Sequence, residues 1–320
     1  MKRGSENCFF LWLVGNKIGY NYSVKRKLLI LIIALLLASC GDKEYSAVET
    51  DYPKSPAYTK EEVLHSYFDS IEECADSDVA YISLSTTDQG YIGVSLKEGV
   101  EDRIKLRITK GENKYTYDID KTEMVAFPLN MGNGTYSILL YQNLHDSEYA
   151  LVYSNNINVK LEEPNISYLY PNQVVDYDKS DMVIDKSFEV TKNDEDDLNR
   201  AYHLYSYVVD RLSYDYNKAE EVRSAYTLPN IEEAIEKRKG ICFDYASLLS
   251  ALCRCQHIPA RVIVGYTDLG YHAWVEIYLE NEGWINPRFF FNGDEWSLVD
   301  PTLDDSGADY EGAYDEVYHY

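Results

Sequence analysis

Behind Cys242 runs an apolar stripe, Ala246, Leu249, Leu252 and Cys253, at the spacing of one helix face, and three strand-like runs follow it. Those runs are Ala260–Tyr266, Tyr271–Leu279 and Glu295–Val299. A helix that must bury a stripe and strands that must pair can satisfy both needs as a helix packed on an antiparallel sheet, so the expected class is α+β. Two further helices are expected upstream. Asn193 or Asp194 can cap one carrying Leu198, Ala201, Leu204, Tyr205 and Val208. Pro229-Asn230 can start another, with Glu233 three residues after Asn230 and Gly240 at its stop.

The first half has a different texture. Short runs rich in Val, Ile, Tyr and Thr, such as Tyr91–Leu96, Arg103–Thr109, Tyr115–Ile119 and Tyr136–Tyr141, alternate with Gly-, Asn- and Asp-containing turns. Gly132-Asn133-Gly134 is one of those turns. This spacing predicts a small antiparallel sandwich of immunoglobulin-like kind over residues 78–165, serving to bind substrate, to space the protein from the membrane or to dock the second domain. Ahead of it, Thr59-Lys60-Glu61-Glu62 matches a capping box, and Val63, Leu64, Tyr67, Phe68, Ile71 and Cys74 recur at helical spacing. An amphipathic helix over 59–75 is the expectation. Residues 40–58 are polar with scattered prolines and suggest a tether. Residues 306–320 are rich in acids without Lys or Arg and suggest a solvent-facing tail.

The N-terminus bears on compartment. Lys25-Arg26-Lys27 precedes an unbroken apolar run from Leu28 to Ala38, and then Ser39-Cys40-Gly41. A basic segment, a short apolar segment and small residues at a cut describe a secretory signal over residues 1–39. Leu37-Ala38-Ser39-Cys40 resembles a bacterial lipobox, which would make Cys40 the lipid-bearing first residue of an extracytoplasmic, membrane-anchored protein. Residues 1–23 fit neither pattern, which points to Val24, read from a GUG codon, as the true start. A peptide from residues 1–23 in cell extracts would contradict that. The chain carries −24 overall, and −29 once the +5 of residues 1–39 is set aside, which argues against nucleic acid as a partner. The run Cys253-Arg254-Cys255-Gln256-His257 lacks a second ligand pair at zinc-site spacing and reads as core rather than as a metal site.

Three residues then stand out in chain order. Cys242 opens a helix, His272 lies in a strand, and Asp300 ends a strand before Pro301. A free thiol has a pKa of about 8.5, and a helix N-terminus with a nearby imidazolium lowers it by a unit or more. Alternation turns His272 the same way as Trp274 and Glu276. A cysteine nucleophile needs a base, and the base needs a third group to hold its ring, so the trio reads as a site of cysteine-dependent acyl transfer. Singly, each has a plainer explanation: packing, a surface histidine, a turn. The expected oxyanion donors are the Cys242 backbone N–H and one side chain. Trp274 is expected to line the substrate groove, and Glu276 or Asp294 would orient His272 if Asp300 does not.

The runs Lys239-Gly240-Ile241-Cys242, Ile258-Pro259-Ala260-Arg261, Val264-Gly265-Tyr266, His272-Ala273-Trp274-Val275-Glu276 and Asp300-Pro301-Thr302 together resemble the transglutaminase-like superfamily. The resemblance covers about residues 195–305. It implies a papain-like core within a catalytic domain over 166–305, with Cys242 as nucleophile, His272 as base and Asp300 as orienting carboxylate, and it makes Tyr214 and Tyr216 the candidates for the side-chain oxyanion donor. It also implies a protein or peptide substrate, no cofactor, and an acyl-enzyme that is hydrolysed. Transfer to an amine, the cross-linking reaction, is the alternative among enzymes. A surface binding or scaffold protein with an inactive domain of this type is the alternative outside them. Two departures from the family pattern are His257, where a glycine is usual, and the long connection Asn281–Glu295.

Overall fold

The computed structural model describes residues 52–178, 180–222, 227–267, 270–285, 291–292, 295–296 and 314–320. The expected signal region, Cys40, most of the tether, Asp294 and Asp300 lie outside them. Eight strands form the first half: β1 (Ala75–Asp76), β2 (Ala80–Ser83), β3 (Tyr91–Leu96), β4 (Ile104–Lys110), β5 (Asn113–Ile119), β6 (Val125–Pro128), β7 (Gly134–His145) and β8 (Glu148–Val159). They pair into two antiparallel sheets of order β1-β2-β3-β6 and β5-β4-β7-β8. Alternation decides which side chains go inside: Ile104, Leu106 and Ile108 of β4 are buried beside Tyr115, Tyr117 and Ile119 of β5. Tyr117 meets Phe127 of the other sheet edge-on at 5.1 Å, so the two sheets share one apolar layer.

No continuous helix spans 59–75. Two 3-10 turns, Lys60–Glu62 and Ile71–Glu73, are separated by extended chain. The capping interaction exists, since the Thr59 N–H donates to Glu62 Oε2 at 2.8 Å, but the helix it would start is abandoned after one turn. Long-range contacts replace it. The Tyr67 N–H donates to the Tyr91 hydroxyl at 3.0 Å, Phe68 packs edge-on against Tyr91 at 6.1 Å, and Tyr177 donates to the Leu64 carbonyl at 3.1 Å. His65 and the Ser66 N–H both engage Asp178. Local helical preference is worth a few tenths of a kcal/mol per residue, so several such contacts override it.

The second half contains α1 (Asp181–Val190), α2 (Asp197–Arg211), α3 (Tyr216–Glu221), α4 (Ile231–Lys237) and α5 (Cys242–Cys255). The cap of α2 is Asp196, which accepts from the Asn199 N–H at 2.8 Å, rather than Asn193 or Asp194; Asp194 instead pairs with buried His203 at 2.8 Å. Asn230 caps α4 as expected, accepting from the Glu233 N–H at 3.0 Å. That helix ends at left-handed Arg238, and Gly240 belongs to the strand beyond. The strands are β9 (Ser213–Tyr214), β10 (Lys239–Gly240), β11 (Ala260–Thr267), β12 (Gly270–Leu279), β13 (Gly283–Ile285), β14 (Phe291–Asn292), β15 (Glu295–Trp296) and β16 (Tyr314–His319). Their principal sheet has the order β13-β12-β11-β16 and packs against α5.

Residues 306–313 of the expected acidic tail lie outside the described residues, and residues 314–320 are not a free tail. β16 pairs antiparallel with β11, and Val262 and Tyr320 exchange both backbone hydrogen bonds, at 2.9 and 2.7 Å. Its acids hid a strand pattern in which Tyr318 and Tyr320 meet Tyr115 of β5 at 5.6 and 5.8 Å between ring centroids. The Tyr115 hydroxyl accepts from the His319 N–H at 3.2 Å, and Asn130 donates to the His319 carbonyl. β16 therefore seats the first half against the second. Arg254 is fully buried and donates to three carbonyls: Ala260 at 2.9 Å, Tyr170 at 2.6 Å and Tyr320 at 3.0 Å. Burial lowers its pKa to about 10, so it remains a cation at neutral pH.

His257, at the position where a glycine is usual, adopts the left-handed conformation at φ 57°. Such backbone costs a non-glycine residue about 1 kcal/mol. The compensation is local: its ring stacks on Tyr58 at 3.8 Å, and Nε2 lies 2.7 Å from the Glu62 carbonyl.

Candidate active site

Cys242 is the first residue of α5. The helix begins there because Ile241 is extended, at φ −101° and ψ 175°, and because Asp244 turns back to accept the Ile241 N–H at 2.9 Å. Ala246, Leu249, Leu252 and Cys253 are buried as the stripe predicts. Ser247, Ser250, Arg254 and Cys255 are buried too, because α1, α2 and α4 cover the sides of α5 that the sheet does not. The thiols of Cys253 and Cys255 are pushed up by burial, that of Cys255 to about 12, which leaves both protonated and inert at neutral pH. Cys242 is only half-buried and forms no disulfide.

The approach to Cys242 is held by a short parallel pairing of β9 with β10, which sets Tyr214 opposite Gly240, and the Asp215 N–H donates to the Gly240 carbonyl at 2.8 Å. Tyr214 is thereby fixed beside the strand that leads into the nucleophile. Tyr216 sits edge-on to it at 5.0 Å and is 74% exposed, so Tyr214 is the better placed of the two oxyanion candidates.

His272 lies on β12, half-buried, and β12 packs against α5. Its ring is near-parallel to that of Trp274, 19° between planes at 6.4 Å, as residues two apart on one strand face should be. Trp274 itself is fully buried, so it supports the sheet and does not line an open groove. The physical reason is the glycine beside it. A Cβ at Gly265 would collide with the Asp315 carbonyl and come within 2.9 Å of Trp274 Cη2, so the bare backbone admits both the indole and β16. Gly265→Ala is expected to cost about 2 kcal/mol of stability by overpacking. A urea midpoint unmoved by that change would contradict the close approach of β16.

The aromatic surface near the site comes from elsewhere. Tyr266 and Tyr271 face each other across β11 and β12 at 5.2 Å, each more than half exposed. The Tyr271 phenol is pushed up chiefly by partial burial of its ring, with smaller contributions from Tyr318, Tyr266 and Cys242. Glu276, the fallback partner for His272, is committed to Arg261: both Nε, at 2.7 Å, and Nη2 donate to its carboxylate. Arg261 in turn stacks over Trp284 at 4.2 Å.

Asp244 was not anticipated from sequence. It is fully buried, and beyond the Ile241 N–H it accepts from Lys218 Nζ at 2.8 Å and the Asn230 N–H at 3.3 Å. An acid three residues after a helix boundary was the available signal.

Residues 184–287 match the model of the transglutaminase-like superfamily. Among curated proteins the chain is similar to a UPF0252 protein of Methanocaldococcus jannaschii, at 27% identity over 171 residues, or 46% of this chain and 47% of that one. It is also similar to the uncharacterised protein YebA of Bacillus subtilis, at 30% identity over 95 residues, or 23% of this chain and 13% of YebA. These matches span about half or less of the relatives' own length. Among solved structures it is similar to a candidate cysteine protease from Cytophaga hutchinsonii, with 16% identity, a TM-score of 0.37, and coverage of 72% of this chain and 83% of that one. The periplasmic domain of TgpA from Pseudomonas aeruginosa gives 14% identity and a TM-score of 0.33, covering 72% and 90%. The segment 184–287, which holds both Cys242 and His272, is transglutaminase-like.

Proposed function

We propose that this chain is an extracytoplasmic, lipid-anchored cysteine enzyme that forms an acyl-enzyme at Cys242 and hydrolyses peptide or amide bonds. The observation that carries the reading is a half-buried cysteine in the first turn of a buried helix, packed on the strand that bears a half-buried histidine. N–H groups of a first helical turn have no intrahelical acceptor and aim at developing negative charge. The thiolate of Cys242 attacks the carbonyl carbon, and the oxyanion is met by the Cys242 N–H and Tyr214. His272 gives its proton to the leaving amine, then takes one from the water that attacks the thioester, and the thiolate leaves as the acid product forms. Asp300 holds the imidazole in this reading.

The test is the rate of Cys242 alkylation by iodoacetamide at neutral pH. Reaction much faster than a free thiol supports the enzyme, and a rate equal to a model thiol removes it. A surface binding protein with an inactive domain would then take its place, a reading that the burial of Trp274 favours because it removes the expected groove wall.

Residues 78–165 are proposed as an immunoglobulin-like sandwich. Support comes from the strand order, in which β3 to β4, β5 to β6 and β6 to β7 each cross between sheets. Anchoring rests on Cys40. Cys40→Ala is expected to abolish lipid labelling and shift the protein out of the membrane fraction. A palmitate label retained by that variant would overturn the anchor.

A further inference from the structure

The last part of β8, Tyr153–Val159, pairs with Leu140–Gly134 of β7 in unbroken register, and the register shifts of that pair lie nearer the hairpin tip. β8 is an edge strand, so every second residue of the run turns its N–H and C=O away from β7. Among the described residues no backbone hydrogen bond meets that outward side. The sequence leaves it unguarded: Tyr153-Ser154-Asn155-Asn156-Ile157-Asn158-Val159 holds no charge, no proline and no glycine. The other described edges differ. β1, β9, β10, β14 and β15 have two residues each and β13 has three. β6 is short and ends in Pro128, β5 carries Lys114 and Asp118, and β16 carries Asp315 and Glu316. Short or charged edges resist pairing with another chain, and a regular neutral one invites it.

We propose that β8 joins two copies of this chain, Tyr153–Val159 pairing antiparallel with itself across a two-fold axis at Asn156. Any extended chain can satisfy an edge strand's backbone, so the side chains decide the occupant. In this register Ser154 stands opposite Asn158 of the second copy, Asn156 opposite Asn156, Asn155 opposite Ile157 and Tyr153 opposite Val159. Ser154, Asn156 and Asn158 are exposed on the outer face of the sheet, opposite Leu139, Ser137 and Thr135 of β7. Every outer pair across the axis is therefore amide to amide or amide to hydroxyl, and none sets an acid against an acid. Tyr153, Ile157 and Val159 lie on the inner face, beside buried Leu140, Tyr136 and the start of β7, and the added strand extends that apolar side. Charge also selects a second copy. The chain carries −24, so most of its surface repels another copy, and a neutral run is where two copies meet with least repulsion. A two-fold axis makes the contact the same on both chains and closes it at two. The pairing makes no use of Cys242 and stands whether or not the chain is an enzyme.

Sedimentation of the full chain in detergent solution, from about 1 to about 100 μM, is expected to show monomer converting to dimer with no larger species. Ser154→Lys combined with Asn158→Lys sets like charges opposite each other in two cross-strand pairs, and should weaken the dimer by about tenfold. Ser154→Lys combined with Asn158→Asp sets opposite charges there, and should leave the dimer as tight as the parent or tighter. Both positions are exposed, so the monomer fold tolerates either change. A monomer at every concentration overturns the proposal. So does a dimer indifferent to the two lysines, or one lost equally in both variants. Amide exchange gives a reading that needs no variant: across residues 153–159 it should slow by at least about tenfold between dilute and concentrated parent protein. Unchanged exchange there overturns the pairing even if a variant fails to fold. A monomer whose exchange in this segment slows only on adding an unstructured peptide gives the edge to that partner, and overturns the proposal as well.

Discussion

Cys242→Ala is expected to lower acyl transfer by at least about four orders of magnitude while leaving the melting temperature nearly unchanged. In a serine-protease relay the loss of the nucleophile costs about six decades, and what survives comes from the oxyanion donors and binding. Removing a half-buried sulfur at the start of α5 deletes few contacts, since Tyr245, Leu248 and Leu249 carry the packing of that helix. The asymmetry between activity and stability is the point of the measurement. Equal losses in both would mean that Cys242 is a packing residue. Full activity in the variant would end the acyl-enzyme reading altogether.

Deletion of residues 314–320 is expected to destabilise the protein by about 5 kcal/mol or more, comparable to the whole stability of many domains. Three losses combine. The edge of β11 gives up its ladder to β16, Tyr115 and Asn130 give up their partners across to the first half, and Arg254 keeps a buried charge with one acceptor fewer. A buried polar group left without its partner costs about 1–3 kcal/mol, and a charged one costs more. The truncated chain should be digested by protease under conditions where the full chain resists. A soluble truncation with an unchanged cooperative melt would show that β16 is an ornament on the sheet.

What was legible in the sequence follows from the range of the interaction. The α5 stripe and the runs that became β3, β4, β11 and β12 are local patterns, and they appear where periodicity puts them. The places of Cys242 at a helix start and His272 on a strand were legible because each sits in a distinctive short motif. The failures are long-range. Residues 59–75 obey a helical period, yet contacts to Tyr91, Tyr177 and Asp178 decide their shape. The acids of β16 masked its pairing, because charge argues for exposure and an edge strand can be both charged and paired. Alternation put Trp274 on the His272 face correctly, but no local pattern says which part of a face is covered. Asp244 was overlooked for a related reason: its importance comes from Lys218, which is 26 positions away.

The three carbonyls around Arg254 also order events in time. Tyr170 precedes Arg254 in the chain and Ala260 follows it by six residues, whereas Tyr320 comes after every other described element. Until β16 is in place the guanidinium has an incomplete shell in a site that water should leave, so α5 has reason to stay open. Closure becomes favourable when β16 arrives. A nascent chain of this kind would remain loosely packed, and would tighten in one late step around a single cation.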